Sequence, residues 1–129
     1  KAIKIAAALV VAGVLAACQD SNGLRSARAY QPIPADTLAL IQSKGSSKNA
    51  PILIRTYKKE AELEIWKQTA DGSYVHLKTY PMCRWSGQLG PKKREGDRQV
   101  PEGFYSITPA QMNPNSNYYL SFNVGYPNA

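Results

Sequence analysis

From Pro51 onward, apolar and polar side chains alternate with a period of two, and this pattern constrains the fold more than any other feature of the chain. In Ile52-Leu53-Ile54-Arg55-Thr56-Tyr57, Ile52 and Ile54 share a face. After Lys58-Lys59-Glu60, the run from Ala61 to Lys67 puts Leu63 and Ile65 on one face and Glu62, Glu64 and Trp66 on the other. That is the signature of a half-buried strand. Asp71-Gly72 is a strong turn pair. Tyr74 to Tyr80 then alternates again, with Val75 and Leu77 expected inward and His76 and Lys78 outward. Three strands joined by short turns predict an antiparallel meander and a mainly β fold. Further strands are expected at Phe104-Tyr105-Ser106-Ile107 and from Tyr118 to Val124. Between the meander and these lies a Gly- and Pro-bearing stretch, Trp85 to Asp97, which reads as a long loop. A length of 129 residues suits one domain.

The segment before the alternation reads differently. Lys1 and Lys4 make a basic start, and Ile5 to Cys18 carries no charge. Its 14 residues would rise ~21 Å as a helix, short of a ~30 Å hydrocarbon core. This suits the apolar region of a secretory signal. The run ends Leu15-Ala16-Ala17-Cys18, which resembles the lipobox of bacterial lipoproteins. The resemblance implies diacylglycerol on the Cys18 thiol, cleavage before it, and acylation of the new amino terminus. The bland alternative is an ordinary signal peptide with a chance cysteine after it. Gln19 follows Cys18, and Asp20 comes next, which by the same resemblance favours delivery to the outer membrane. The expected organisation is a signal at 1–17, a lipid-anchored linker at 18–50 and the β domain at 51–129. Within the linker, Thr37 to Ile41 could form one short helix with Asp36 as its N-cap, and Ser43 to Asn49 reads as a flexible break.

Composition narrows the chemistry. Two cysteines are too few for a disulfide-stapled mini-protein or a four-ligand zinc site, and a single histidine excludes a multi-His metal cluster. Cys83 with His76 is the tempting nucleophile-base pair. Their separation is odd, so on one continuous strand they would face opposite sides. Cys83 is therefore expected as a buried thiol at a strand end, and His76 as a solvent-exposed bystander. Glu62 and Glu64 share a face and resemble a carboxylate pair, but the wet side of a strand accounts for them. The loop Gly87-x-x-Gly90-Pro91-Lys92-Lys93-Arg94 lacks the spacing of a phosphate-binding P-loop. The formal charge of +7 raises nucleic acid as a partner. An exported chain rarely meets one, so no nucleic acid is expected.

One long stretch carries a family resemblance. It runs from Cys83-Arg84-Trp85-Ser86-Gly87-Gln88-Leu89-Gly90-Pro91-Lys92 through Glu95-Gly96-Asp97 and Val100-Pro101-Glu102-Gly103-Phe104-Tyr105-Ser106-Ile107. The sequence resembles the YkuD-type L,D-transpeptidase catalytic domain, in its YafK-like branch. Ser86-Gly87 matches the family's Ser/Thr-Gly turn, and Val100 to Tyr105 is a variant of its Thr-Pro-x-Gly-x-Phe motif. The ending Asn123-Val124-Gly125-Tyr126-Pro127-Asn128-Ala129 also resembles that branch. The resemblance implies a cysteine acyl transfer on peptidoglycan stem peptides, in the periplasm, with no cofactor. A thiolate expels the terminal D-residue, and an amine on another stem or on a wall-attached lipoprotein resolves the thioester. In the family a His-Gly motif and a Ser-x-Gly-Cys motif supply base and nucleophile. Neither occurs here: His76 precedes Leu77, and Cys83 follows Met82. No catalytic residue is carried over, and the expectation is the front part of a longer enzyme, inactive alone. Cys83 corresponds by resemblance to a branch-specific cysteine, not the nucleophile. Arg84, Lys92, Lys93 and Arg94 are the candidate residues for binding the acidic stems. The alternatives are a non-catalytic, peptidoglycan-associated envelope lipoprotein and a thiol enzyme built on Cys83.

Overall fold

A computed structural model describes residues 27–128. The predicted signal and the Cys18 anchor lie outside the described residues. The described chain is mainly β, with antiparallel strands in two sheets and one α-helix. It divides into two units, one spanning Pro32–Phe104 and one that includes the described residues from Tyr105 onward together with 27–31.

The first unit contains the expected meander. Strands β1 (Ile52–Tyr57), β2 (Glu62–Gln68) and β3 (Tyr74–Pro81) form a sheet in the order β1-β2-β3. Both pairings are antiparallel, with Ile54 opposite Ile65 and Leu63 opposite Tyr80. The turn before β3 is fixed by Asp71. Its carboxylate accepts hydrogen bonds from the Thr69 hydroxyl, from the Ser73 N–H at 3.1 Å and from the Ser73 hydroxyl at 2.8 Å. Gly72 follows at φ +87°, a conformation that glycine adopts without steric cost.

Those bonds, the Thr69 and Ser73 hydroxyls foremost, lower the Asp71 pKa from 3.8 to about 2. The folded value lies below the unfolded one, so the stabilisation is complete above pH 3.8 and disappears as pH falls towards 2. The hairpin should therefore loosen across that interval, and Asp71→Asn should flatten the response. Amide exchange at Thr69 and Ser73, followed from pH 5 to pH 2, checks this; identical profiles for the two proteins would refute it.

A bulge between Ile65 and Trp66 changes the expected side-chain pattern. Trp66 faces His76, but Ile65 faces Lys78, so Leu77 is the extra residue. Lys78 was expected outward with His76. The slip of one residue moves it to the side of Ile65, where it lines an open depression with Leu77, Tyr80 and the helix residues Asp36, Thr37 and Leu40.

Helix α1 (Ala35–Ser43) is longer than the predicted turn from Thr37 to Ile41. Pro34 occupies the N-cap position, not Asp36. Asp36 lies in the first turn, where its carboxylate accepts the Thr37 N–H at 2.8 Å and opposes the positive end of the helix dipole. The helix ends in a Schellman motif: Gly45 N–H donates to the Gln42 carbonyl at 2.9 Å, and Ser46 N–H to the Ile41 carbonyl at 3.1 Å. Gly45, at φ +72°, is thus a helix stop. The stretch read as a flexible break is tied to the sheet. Ser46 pairs with Thr69, and its hydroxyl donates to the Gln68 carbonyl at 2.6 Å. Lys67, on the same face of β2 as Leu63 and Ile65, lies beneath this crossing at 2% exposure. Its ammonium donates to the carbonyls of Lys48, at 3.2 Å, and Ala50.

In the second unit, β4 (Met112–Asn113) pairs with β5 (Ser121–Phe122). Thr108 and Gln111 bracket a short 3-10 turn, Pro109–Gln111, and the Gln111 amide also donates to the Asn123 carbonyl at 2.8 Å. The strand expected over Tyr118 to Val124 is confined to its middle pair. Residues 104–107, also expected as a strand, join no sheet among the described residues. Alternation supplied the propensity there, but a strand needs a neighbour to complete its ladder.

Candidate functional site

The loop between β3 and Phe104 holds the family-like stretch and the basic candidates. It has no regular structure, so side chains must supply the bonds that a ladder would. Asp97 organises its tip. One carboxylate oxygen accepts from the Lys92 ammonium at 2.6 Å and the Gln99 N–H at 2.9 Å. The other accepts from the N–H groups of Lys93, at 2.8 Å, and Arg94, at 3.1 Å. The Lys92 bond, ahead of the backbone donors, holds this carboxyl well below the ordinary range despite an opposing desolvation.

Gln99 crosses the loop. Its amide oxygen accepts the Gln88 N–H at 2.8 Å, and its nitrogen donates to the Gln88 carbonyl and, at 2.8 Å, to the Gly90 carbonyl. This close approach explains Gly87: a Cβ there would stand 2.0 Å from the Gln99 amide oxygen, at a φ of +86°. Lys58, from the β1–β2 turn, fastens the loop to the sheet. Its ammonium donates to the carbonyls of Gly90 at 2.8 Å and Val100 at 2.7 Å, and lies 3.0 Å from the Glu102 carboxylate. Glu102 in turn accepts the Gly90 N–H at 3.1 Å.

This frame sorts the predicted residues. Arg84, Lys93 and Arg94 are exposed. Lys92 is held against Asp97, with its side chain 13% exposed. A shallow depression beside the tip is lined by Leu89, Gly90, Pro91, Lys93, Asp97 and Gln99. Lys58 and Gln99, which give the loop its shape, went unnoticed in the sequence because each acts across a long separation.

The dyad candidates take separate positions. His76 faces the open side of the sheet, half-buried rather than solvent-exposed. Its Nε2 lies 2.8 Å from the Thr79 hydroxyl, and its ring meets Trp66 edge-on at 5.3 Å. Cys83 is exposed, contrary to the expected buried thiol. The reason is that β3 ends at Pro81; only Met82, whose N–H donates to the Ala61 carbonyl at 2.7 Å, prolongs the contact. No hydrogen bond joins Cys83 to His76 among the described residues. Glu64 accepts the Trp66 indole N–H at 2.9 Å and lies 3.7 Å from the Arg55 guanidinium, which also stacks on Tyr57 and Trp66. It is a half-buried strut of the sheet face, where the spacing had indicated only the wet side of a strand. Among the described residues no group of three or more His, Cys, Asp or Glu could hold a metal ion, and no helix is long and apolar enough to cross a membrane.

Over the length compared, the chain is similar to YafK-like L,D-transpeptidases. It is 36% identical over 123 residues to the protein named "Putative L,D-transpeptidase YafK" of Escherichia coli K12, and equally to its namesake in Escherichia coli O157:H7. The match covers 95% of this chain and 47% of each relative, so the chain spans about half the length of the curated relatives it matches. No family model matches the chain, and no solved structure does.

Proposed function

We propose that this chain is the scaffold portion of an envelope L,D-transpeptidase-like enzyme, whose reacting thiol and imidazole belong to polypeptide outside these 129 residues. The observation that carries the reading is the 36% identity to relatives named for that activity, over 95% of the chain. In the complete enzyme, a cysteine thiolate attacks the L-to-D peptide carbonyl of a stem. The C–N bond breaks, the terminal D-residue leaves as the protonated amine, and an acyl thioester remains. An acceptor amine, on a second stem or on a wall-attached lipoprotein, attacks that thioester and returns the thiolate.

The described residues serve binding in this scheme. Arg84, Lys93 and Arg94 present positive charge from a loop whose shape Asp97, Gln99 and Lys58 hold. Acidic stem peptides are the fitting counterpart. Lys92 acts indirectly, through Asp97. Lipidation at Cys18 would tether the protein to the periplasmic side of a membrane, the outer one by its neighbouring residues.

Sedimentation with purified peptidoglycan tests the binding. Retention of the chain should fall as salt rises from about 50 to 500 mM, because exposed charges are screened over a Debye length that shrinks across this range. Arg84→Gln, Lys93→Gln and Arg94→Gln together should remove most of the salt-sensitive part. Salt-independent retention, or retention untouched by the triple change, refutes the assignment. A tetrapeptide muropeptide incubated with the 129-residue chain should remain uncleaved; turnover would overturn the scaffold reading.

A further inference from the structure

Strand β1 is apolar on both faces at its start. Ile52 and Ile54 point to one side and Leu53 to the other. An uninterrupted aliphatic run of this kind belongs to strands covered on both faces, whereas β2, with its alternation, belongs to a half-buried one. The environment contradicts the composition. β1 is the edge of its sheet, paired only with β2 among the described residues, and Ile52, Leu53 and Ile54 are 59%, 38% and 41% exposed. The usual protections of a free edge are sparse: Arg55 is its one charge, Pro51 stands just before it, and the register with β2 is unbroken. Among the described residues, Ile41 is the only hydrophobic side chain in the buried class. The matched relatives are about twice as long as the matched segment, which fills 47% of them.

From these observations together, we propose that the outer edge of β1 and its Ile52/Ile54 face receive a strand from the polypeptide that the relatives carry outside the matched segment. The surface is then an internal seam of the complete protein. The proposal rests on the reading that the functional protein is longer, but not on its chemistry. The incoming strand completes the β1 ladder and covers the aliphatic face. It thereby fixes β1, and through Lys58 the basic loop, relative to the remainder of the protein.

Hydrogen exchange tests this without reference to activity. The first sample is the 129-residue chain. The second is a chimera in which this chain replaces the matched segment of the Escherichia coli K12 relative. Outward-facing amides of 52–57 should exchange rapidly in the first and be slowed about 100-fold or more in the second, as expected for a strand moving from edge to interior. Ile54→Lys should leave the melting of the chain alone within a degree or two, yet abolish the added protection in the chimera. Equal exchange in the two samples overturns the proposal. So does protection of 52–57 in the chain alone that grows with concentration, since the occupant is then a second copy. If the chimera does not fold, exchange at the aligned strand of the K12 relative decides, and rapid exchange there overturns it.

Discussion

Lys67→Ala should destabilise the Pro32–Phe104 unit by about 2–4 kcal/mol, the largest loss expected from any single side chain here. Lys67 lies in the central strand at 2% exposure, and no carboxylate among the described residues lies within ion-pair distance of its ammonium. It donates to the carbonyls of Lys48 and Ala50, which belong to the segment connecting α1 to β1. Alanine would leave both carbonyls without this donor and would remove the aliphatic stem that fills the space beneath the crossing. Lys67→Met keeps the stem and loses only the donor, so about 1–2 kcal/mol is expected. Thermal melts of the two variants separate packing from hydrogen bonding; equal losses would refute the division.

The same residue gives a pH signature. Burial lowers the Lys67 pKa from 10.5. The unfolded chain therefore holds this proton at pH values where the folded chain has released it. Stability should rise with pH between the lowered folded value and 10.5, for this group alone. The measurement is the difference in melting temperature between the unchanged chain and Lys67→Met from pH 8 to pH 10.5. A difference independent of pH would refute the lowering of the Lys67 pKa by burial.

Lys58→Met should release the loop from the sheet, at a cost of about 1–3 kcal/mol. The Lys58 side chain is 9% exposed, and its ammonium serves the Gly90 and Val100 carbonyls and the Glu102 carboxylate together. Removing it leaves Glu102 without its ion-pair partner and frees both ends of the Gly90 to Val100 stretch. Lys58→Arg should not restore the loop, because a planar guanidinium cannot occupy the position of a compact ammonium among these oxygens. The expected readout is rapid amide exchange at Gln88, Gly90 and Gln99 in both variants, with β2 and β3 still protected. Peptidoglycan retention should weaken as well, since Arg84, Lys93 and Arg94 would lose their common frame. Unchanged exchange in this loop would remove Lys58 from its role as anchor.

Much of the meander was legible because its information is local. Alternation marked β1 with the bounds it has in the structure, β2 to within a residue at each end and β3 to within a residue at its C-terminal end. Asp71-Gly72 specified the turn through a side chain that bonds its own neighbours. The same local logic misplaced the strand at 104–107, where the pattern is present and the pairing is not. It also missed the bulge at Ile65/Trp66, since nothing in either strand alone sets their relative register. The Schellman stop at Gly45 was readable in principle: a glycine after the helical run is its ordinary signal, and the surrounding serines and lysines disguised it as a linker.

The candidate site divides along the same line. The family-like motif and the cluster Lys92-Lys93-Arg94 can be read from adjacent residues. Which of those cations faces solvent and which is held by Asp97 cannot, because all three have the same chemistry in the sequence. Likewise, parity put Lys67 on the face of Leu63 and Ile65, yet only the crossing of residues 46–50 over β2 explains how an ammonium is tolerated there. The sequence alone settled the three meander strands and the turn before β3, which depend on side-chain order over a few residues. The tertiary structure alone decided register, the exposure of Cys83, and the roles of Lys58, Lys67 and Gln99, because burial and hydrogen-bond partners are set by segments 9 to 42 residues away.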